Sequence, residues 1–140
     1  MDGFEIKLET LKAAAKREDW ESVDSAIATV TGDPRYWGWA FGTGVRDADG
    51  NVRDLAVSII ERSDIPKEEF SKMRGALYTR MMKDDNLYVR FRSAFALANH
   101  GPGQYKETVI GALKLASKDD DVKEIAKGYL NRIGHKRVTG

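Results

Sequence analysis

The chain is 140 residues long, the usual size of one domain and enough to bury a hydrophobic core. It has no cysteine, which excludes disulfides and thiolate metal sites. Its net charge of +1 is unevenly distributed: residues 1–70 carry 9 Lys/Arg against 15 Asp/Glu (net −6), and residues 71–140 carry 14 against 7 (net +7). Solvated helix faces usually account for such asymmetry, and the alternatives are an acidic partner at one end, nucleic-acid binding and head-to-tail self-association.

The sequence predicts a cytoplasmic protein. No apolar run approaches the length of a membrane span, so we expect no membrane partner. The N-terminal segment Met1–Glu5 lacks the basic and apolar regions of a signal peptide.

Apolar residues recur at helical spacing along most of the chain and predict an all-α protein of about eight helices, without strands. Capping residues, prolines and glycines mark where these helices begin and end. The predicted helices span about residues 3–17, 19–30, 33–46, 51–62, 64–81, 85–99, 105–116 and 119–134. The last six residues, 135–140, are predicted to form a disordered tail.

One phrase occurs three times, each time in the second helix of a predicted pair and after an acidic loop. The copies are Val52-Arg53-x-x-Ala56-x-x-x-Ile60, Val89-Arg90-x-x-Ser93-Ala94-x-x-Leu97 and Val122-Lys123-x-x-Ala126-x-x-x-Leu130. They start 37 and then 33 residues apart, a spacing typical of stacked helical hairpins. A degraded copy (Ser22, Ala26, Val30) lies 30 residues before the first and is typical of a capping unit.

Helix packing gives the phrase a physical reason. Offsets 0, 4 and 8 place three residues on one stripe of a helix, and a small residue at offset 4 lets the paired helix approach closely. The basic residue at offset 1 lies near the helix N-terminus, where the helix dipole disfavours it. We therefore expect the aspartates of the preceding loop to pair with it.

The segment Val89–Leu97 (VRFRSAFAL) resembles the HEAT-repeat consensus, in which an Asp-rich loop precedes Val-Arg-x-x-Ala-Ala-x-Ala-Leu. With the weaker copies, the resemblance covers nearly the whole chain. It implies one α-α superhelix (a solenoid) of four HEAT-like hairpins over residues 1–134, with repeats at about 3–32, 33–63, 64–101 and 102–134. HEAT-like arrays are mostly protein-binding scaffolds whose second helices line a concave face, and branches of the family hold DNA or assist chromophore attachment.

The predicted third helix departs from this pattern. It contains Gly38, Gly42 and Gly44, each of which costs about 1 kcal/mol relative to alanine in a helix interior. We expect this helix to be irregular or to pack unusually close to a neighbour. The aromatic run Tyr36–Phe41 is expected to be mostly core, with one tryptophan as a candidate contact.

No motif supports catalysis or a bound metal or cofactor. The loop Asp47–Asn51 invites comparison with a calcium loop, but Val52 replaces the glycine at the sixth position and Ser58 the glutamate at the twelfth. Cap and turn chemistry explains this loop better. His100 and His135 have no second imidazole or thiol at ligand spacing. We therefore predict a protein without enzymatic activity, metal or cofactor.

A mixed aromatic and basic group on the second helices forms the candidate partner-binding surface. Phe91 and Phe95 are four residues apart, and facing the concave side they would form an apolar patch flanked by arginines, typical of binding hot spots. The alternative is that one or both rings fill the seam between repeats. Arg53, Arg90 and Lys123 can contact a partner only where the loop aspartates do not already form ion pairs with them. The candidate residues are Arg53, Arg90, Phe91, Arg92, Phe95 and Lys123.

The sequence thus predicts a non-catalytic scaffold or adaptor that binds another protein, and it leaves the oligomeric state open. The first alternative is nucleic-acid binding through the basic half of the chain, although aspartate runs interrupt the basic field. That alternative would use Arg74, Arg80, Lys83, Arg90, Arg92, Lys127, Arg132, Lys136 and Arg137. The second alternative, an accessory role in chromophore attachment, rests on fold analogy alone.

Overall fold

The computed structural model describes the backbone of residues 3–139 and the side chains of residues 3–133. This part of the chain has nine α-helices, two 3-10 helices and no strand, which confirms the predicted all-α class. The chain divides into two compact units, Met1–Pro66 and Lys67–Gly140. The division falls close to the predicted boundary between the second and third repeats, so each unit contains two predicted repeats.

The first unit contains four α-helices and one 3-10 helix. They are α1 (Phe4–Lys16), α2 (Trp20–Ile27), α3 (Pro34–Gly42), the 3-10 helix Gly44–Arg46 and α4 (Gly50–Arg62). Helix α4 is central to this unit, because α1, α2 and α3 all pack against it. Every residue from 52 to 61 is buried, so the first copy of the repeated phrase lies entirely in the interior.

The second unit contains five α-helices and one 3-10 helix. They are α5 (Lys67–Ser71), α6 (Arg74–Lys83), α7 (Leu87–His100), the 3-10 helix Gly103–Tyr105, α8 (Lys106–Ala116) and α9 (Lys123–Thr139). Helix α7 is central to this unit and packs against α6, α8 and α9. The stripe residues Val89 and Leu97 of its repeated phrase are completely buried.

The described chain has one helix more than predicted, because the predicted fifth helix is divided into α5 and α6. The Met73 N–H bonds to the Phe70 carbonyl, three residues back, and Lys72 makes the same kind of bond. Such bonds tighten the chain into a 3-10 turn. The α-helical pattern resumes where the Leu77 N–H bonds to the Met73 carbonyl. Phe70, Met73 and Leu77 stay buried across the break.

The acidic loops before the repeated phrase are capping turns. The Asp47 carboxylate accepts a hydrogen bond from the Asp49 N–H at 2.8 Å, and Asp49 accepts one from the Asn51 N–H at the start of α4. Asp84 and Asn86 accept the corresponding bonds before α7. These side chains satisfy N–H groups that a helix start leaves unpaired. The predicted cap and turn chemistry is confirmed.

The degraded first copy of the phrase has a shifted buried register. Val23 and Ile27 of α2 are buried, together with Val30 beyond its end. Ser22 is exposed and Ala26 is half-buried. The buried stripe of α2 therefore lies one residue later than predicted, because the larger apolar side chains gain most from burial.

The glycines of the third predicted helix mark a break and a close contact. Helix α3 ends at Gly42, and a separate 3-10 helix begins at Gly44. A β-carbon added at Gly44 would lie 2.6 Å from the Ala56 Cβ of α4 and 2.9 Å from a ring carbon of Trp39. Both expectations for this segment hold: the helix is irregular, and its end packs unusually close to a neighbour.

The last helix is longer than predicted. Helix α9 extends to Thr139, whereas the sequence predicts an end at Gly134. The side chains of residues 134–139 and all of residue 140 lie outside the described part of the structure, so the tail at 135–140 stays a prediction. Neither α9 nor any other described helix combines the length and the apolar character needed to cross a bilayer.

Candidate functional site

The second unit carries a surface cleft of about 350 Å³. Its walls come from the end of α6, the first half of α7, the second half of α8 and the turn that follows α8. The lining residues are Met81, Leu87, Arg90, Phe91, Ala112, Leu115, Lys118 and Asp119. The cleft is a consequence of helix packing, because α7 contacts both α6 and α8.

The cleft has a buried apolar floor and an exposed apolar rim. Met81 and Phe91 are buried, and the Phe91 ring meets Tyr88 edge to face with ring centroids 6.1 Å apart. At the rim, Leu115 is 63% exposed and Leu87 is 42% exposed. Large apolar side chains grouped around a concavity mark interaction sites, whereas single scattered ones do not.

The charged groups of the cleft leave it with a positive character. Arg90 has a buried Nε without a hydrogen-bond acceptor among the described side chains, and Lys118 is exposed. Asp119 is the one carboxylate of the lining, and it accepts a hydrogen bond from the Asp121 N–H at 2.9 Å. A buried donor without an acceptor is unfavourable. An anionic group entering the cleft therefore meets two cations, of which Arg90 carries the unsatisfied donor, and one carboxylate.

Tyr88 ties α7 to the acidic turn beside the cleft. Its hydroxyl donates a hydrogen bond to Asp121 Oδ2 at 2.9 Å and lies 3.3 and 3.4 Å from the two Asp119 carboxylate oxygens. The hydrogen bond to Asp121, followed by burial and the negative charges of Asp119 and Asp121, together raise the pKa of Tyr88 to about 12. The neutral phenol is therefore the form that holds the turn.

We expect an alkaline titration of tyrosine absorbance to contain a component near pH 12 that Tyr88→Phe removes. The folded-state pKa lies above the ordinary value of about 10. The contribution of Tyr88 to stability is thus complete below about pH 10 and is lost as the pH rises towards the folded-state pKa. Asp121→Asn keeps an acceptor but removes a charge, and should lower the pKa of Tyr88. A Tyr88 component at the ordinary pKa in the unaltered protein would contradict the hydrogen bond.

The structure answers the question that the sequence leaves open for the Phe91 and Phe95 rings, and it removes Phe95 from the candidate contacts. Phe95 is completely buried, and its ring stacks on Tyr129 of α9 with centroids 5.5 Å apart. The alternative interpretation, in which a ring fills the seam between helices, describes Phe95 because α9 packs over it. Phe91 is only 7% exposed, and it lines the cleft. Phe91 is therefore the ring that stays a candidate contact.

The predicted basic contact residues differ in whether they already interact with other groups of the protein. Arg53 is buried, and its guanidinium donates to two backbone carbonyls of the preceding acidic loop. The loop was expected to stabilise Arg53 through aspartate carboxylates, and part of that stabilisation comes from its backbone carbonyl oxygens. Lys123 lies 3.5 Å from the Asp120 carboxylate in an exposed ion pair. Arg92 is half-buried, and Arg90 is the basic candidate that lines the cleft.

Several of the basic residues expected to contact nucleic acid are engaged within the second unit. Arg74 Nε donates to the Gly101 carbonyl at 2.8 Å. Arg80 pairs with the buried carboxylate of Asp84 at 3.3 Å. The Arg132 guanidinium lies over an aromatic ring one turn earlier in α9. Lys136 and Arg137, the last two residues of that set, have side chains outside the described part of the structure.

The histidines do not assemble a metal centre in the described structure. Among the residues described, no three His, Asp or Glu side chains are arranged to hold a metal ion. The His100 ring packs against the Phe70 ring with centroids 4.6 Å apart. The side chain of His135 lies outside the described part of the chain.

Sequence patterns alone do not select Leu87, Leu115 and Lys118, which form much of the cleft rim. One signal was present, because Leu115 lies off the buried stripe that includes Val109 and Leu113. A large apolar residue on the outer face of an amphipathic helix is a candidate contact. Its placement beside α7 is visible only in the folded chain.

Comparison with known proteins gives no family assignment. No family model matches the chain, and no curated protein or solved structure shows significant similarity to it. The geometry and chemistry of the cleft are therefore the basis for assigning a function.

Proposed function

We propose that the chain is a non-catalytic protein-binding module, a scaffold or adaptor that holds its partner at the cleft beside α7 and α8. The observation that supports this is the pair of exposed leucines at the cleft rim, next to two cations. Burying the leucines would supply binding free energy, and the cations would select partners by the sign of their charge. The contact residues in this proposal are Leu87, Arg90, Phe91, Leu115 and Lys118.

The cleft suits side chains of a partner protein better than it suits a free small molecule. Sites for small molecules bury most of the ligand surface. This cleft is open at its edge, where two leucines are in contact with solvent, so a free small molecule would stay partly exposed there. One or two apolar side chains next to a carboxylate would complement both the rim and the cations.

We also propose that the helices form a short HEAT-like solenoid. Consecutive helices pack as hairpins (α1 with α2, α3 with α4, α6 with α7, α8 with α9), and the second helices of successive hairpins pack together within each unit. The small residues at offset 4 support this proposal, since Ala56, Ser93 and Ala126 are completely buried. The cleft then belongs to α7, the second helix of the third hairpin.

We expect Leu115→Gln to abolish capture of the protein partner from a lysate of the source organism while leaving the fold intact. Leu115 is 63% exposed, so its replacement removes little from the core. Ile125→Gln is the matched control, because Ile125 is an apolar residue of the same unit, is 40% exposed and does not line the cleft. The measurement is mass spectrometry of proteins retained by each variant, with and without nuclease treatment.

The outcomes separate the two functions. A protein that survives nuclease, binds the control variant and is lost from Leu115→Gln supports the cleft. Proteins lost after nuclease, together with recovered nucleic acid and binding that weakens steeply with salt, would favour the nucleic-acid alternative. Equal capture by all three proteins would refute the cleft as the contact surface.

A further inference from the structure

We infer that the cleft binds the exposed face of α1 on a second copy of this chain. This inference rests on the proposed function, because it takes the cleft to be a protein-binding surface and names its occupant. The two surfaces belong to different units of the sequence, so the contact joins the first unit of one copy to the second unit of another.

The exposed face of α1 combines an apolar side chain with carboxylates. Ile6 is 72% exposed, more than any other large apolar side chain among the described residues. Glu9 is 70% exposed, although Lys12 Nζ approaches it at 3.3 Å in a surface ion pair. Surface pairs of this kind contribute little and exchange readily. The residues of this face are Glu5, Ile6, Glu9, Thr10 and Ala13.

Helical geometry places these groups together and holds them outward. Residues three and four apart are neighbours on a helix, so Glu5 lies beside Glu9, and Ile6 beside Thr10 and Glu9. The opposite side of α1 is anchored, because Leu8 and Leu11 are buried. The face is therefore presented by a helix whose orientation is already fixed, which lowers the entropy lost on binding.

The α1 face and the cleft complement each other in both polarity and charge. Ile6 would pack against the exposed leucines of the rim, and the two glutamates would pair with Arg90 and Lys118. The same complementarity extends over the chain, since residues 1–70 have a net charge of −6 and residues 71–140 a net charge of +7. Opposite halves of two copies therefore attract, and like halves repel.

A contact between two different surfaces has a definite consequence for assembly. Each copy that uses its α1 face still offers a free cleft, and each copy that uses its cleft still offers a free α1 face. Such contacts between unlike surfaces extend into open chains or close into rings, and the smallest ring is a pair in which each copy binds the other's α1 face. Because the patches are small, we expect a dissociation constant on the order of 10 μM to 1 mM, the range of weak, transient contacts.

The first test is the concentration dependence of the average mass of the full chain. In sedimentation experiments from about 10 μM to 1 mM, the range in which such weak contacts form, the average mass should rise above that of the monomer. Added salt should lower it, because exposed charges are screened over about 3 Å at 1 M salt. A chain that stays monomeric throughout overturns the inference.

The second test uses two variants that each break one side of the contact. The face variant carries Ile6→Gln and Glu9→Lys, and the cleft variant carries Leu115→Gln and Lys118→Glu. Each alone should associate at least tenfold more weakly than the unaltered chain. Mixed in equal amounts, they should form dimers and stop there, because one intact face and one intact cleft remain.

A matched control tests whether the loss of association depends on where the substitutions lie and not only on their chemical nature. Ile125→Gln with Lys114→Glu makes the same chemical changes in the same unit, at exposed residues that do not line the cleft. This control should associate like the unaltered chain. A cleft variant that associates as well as the control, or a mixture that stays monomeric, overturns the inference. If a double variant loses its helical circular dichroism, the comparison is repeated with the single variants Lys118→Glu in the cleft and Lys114→Glu outside it. Each of these changes one exposed side chain.

The two proposals can fail separately. If the unaltered chain stays monomeric while Leu115→Gln still loses its partner from the lysate, a different protein occupies the cleft. The inference then fails and the proposed function stands. If changes in the cleft affect neither self-association nor capture, both proposals are wrong.

Discussion

Replacing Phe95 with alanine is expected to lower the free energy of unfolding by about 3–5 kcal/mol. The ring is completely buried and stacks on Tyr129, so its loss leaves a cavity where α7 packs against α9. The cost has two parts, the lost transfer of apolar surface from water and the void that the rigid neighbours cannot fill. Few single changes in this chain should destabilise it more.

Equilibrium unfolding in urea, followed by circular dichroism, measures this loss. Leu115→Ala is the control, because that side chain is 63% exposed and its truncation should change the stability by no more than about 0.5 kcal/mol. A loss for Phe95→Ala as small as that of the control would place the ring at the surface. It would also return Phe95 to the candidate contacts.

Helix positions follow from the sequence because their signals are local. The Asp33-Pro34 pair predicts the start of α3, and the Asp33 carboxylate accepts the Arg35 N–H at 3.0 Å. Asp19 accepts the Ser22 N–H at the start of α2 in the same way. A cap needs only residues two or three positions away, so it can be recognised without knowledge of the tertiary structure.

The depth of burial does not follow from the repeat register. Offset 6 of the phrase is Ser58 in α4, Phe95 in α7 and Gly128 in α9. The first two positions are buried and the third is exposed. Equivalent positions on a helix share a direction, but the helices that pack over that direction decide how much water reaches them. This is why the sequence left the location of the Phe91 and Phe95 rings open.

Sequence reasoning finds Arg90 and Phe91 but misses the rest of the cleft for a related reason. Its apolar residues Met81, Leu87 and Leu115 lie on three helices, and none belongs to a functional motif. Only the packing of α7 against α6 and α8 brings them together. The α1 face is different, because Glu5, Ile6 and Glu9 are close in sequence and their grouping can be read from helical periodicity alone.

Ala56→Leu is expected to lower the free energy of unfolding by about 1–3 kcal/mol through overpacking. Ala56 is completely buried in α4, and its Cβ would lie 2.6 Å from a β-carbon built on Gly44. A leucine has no room in that direction unless the 3-10 helix Gly44–Arg46 moves away. The same urea unfolding experiment measures the loss.

Gly44→Ala tests this contact from the other side, and Gly111→Ala is its matched control. At Gly44 the new methyl group would meet both Ala56 and Trp39, so we expect a destabilisation of about 1–3 kcal/mol. Gly111 lies inside α8 with open space where the methyl group would go, so the same change should stabilise the protein by about 0.5–1 kcal/mol. The two substitutions thus differ in sign because one site is packed and the other is open. A stabilising Gly44→Ala, or a neutral Ala56→Leu, would show that the chain after α3 does not approach α4 this closely and that the register of the repeated phrase in the first unit is wrong.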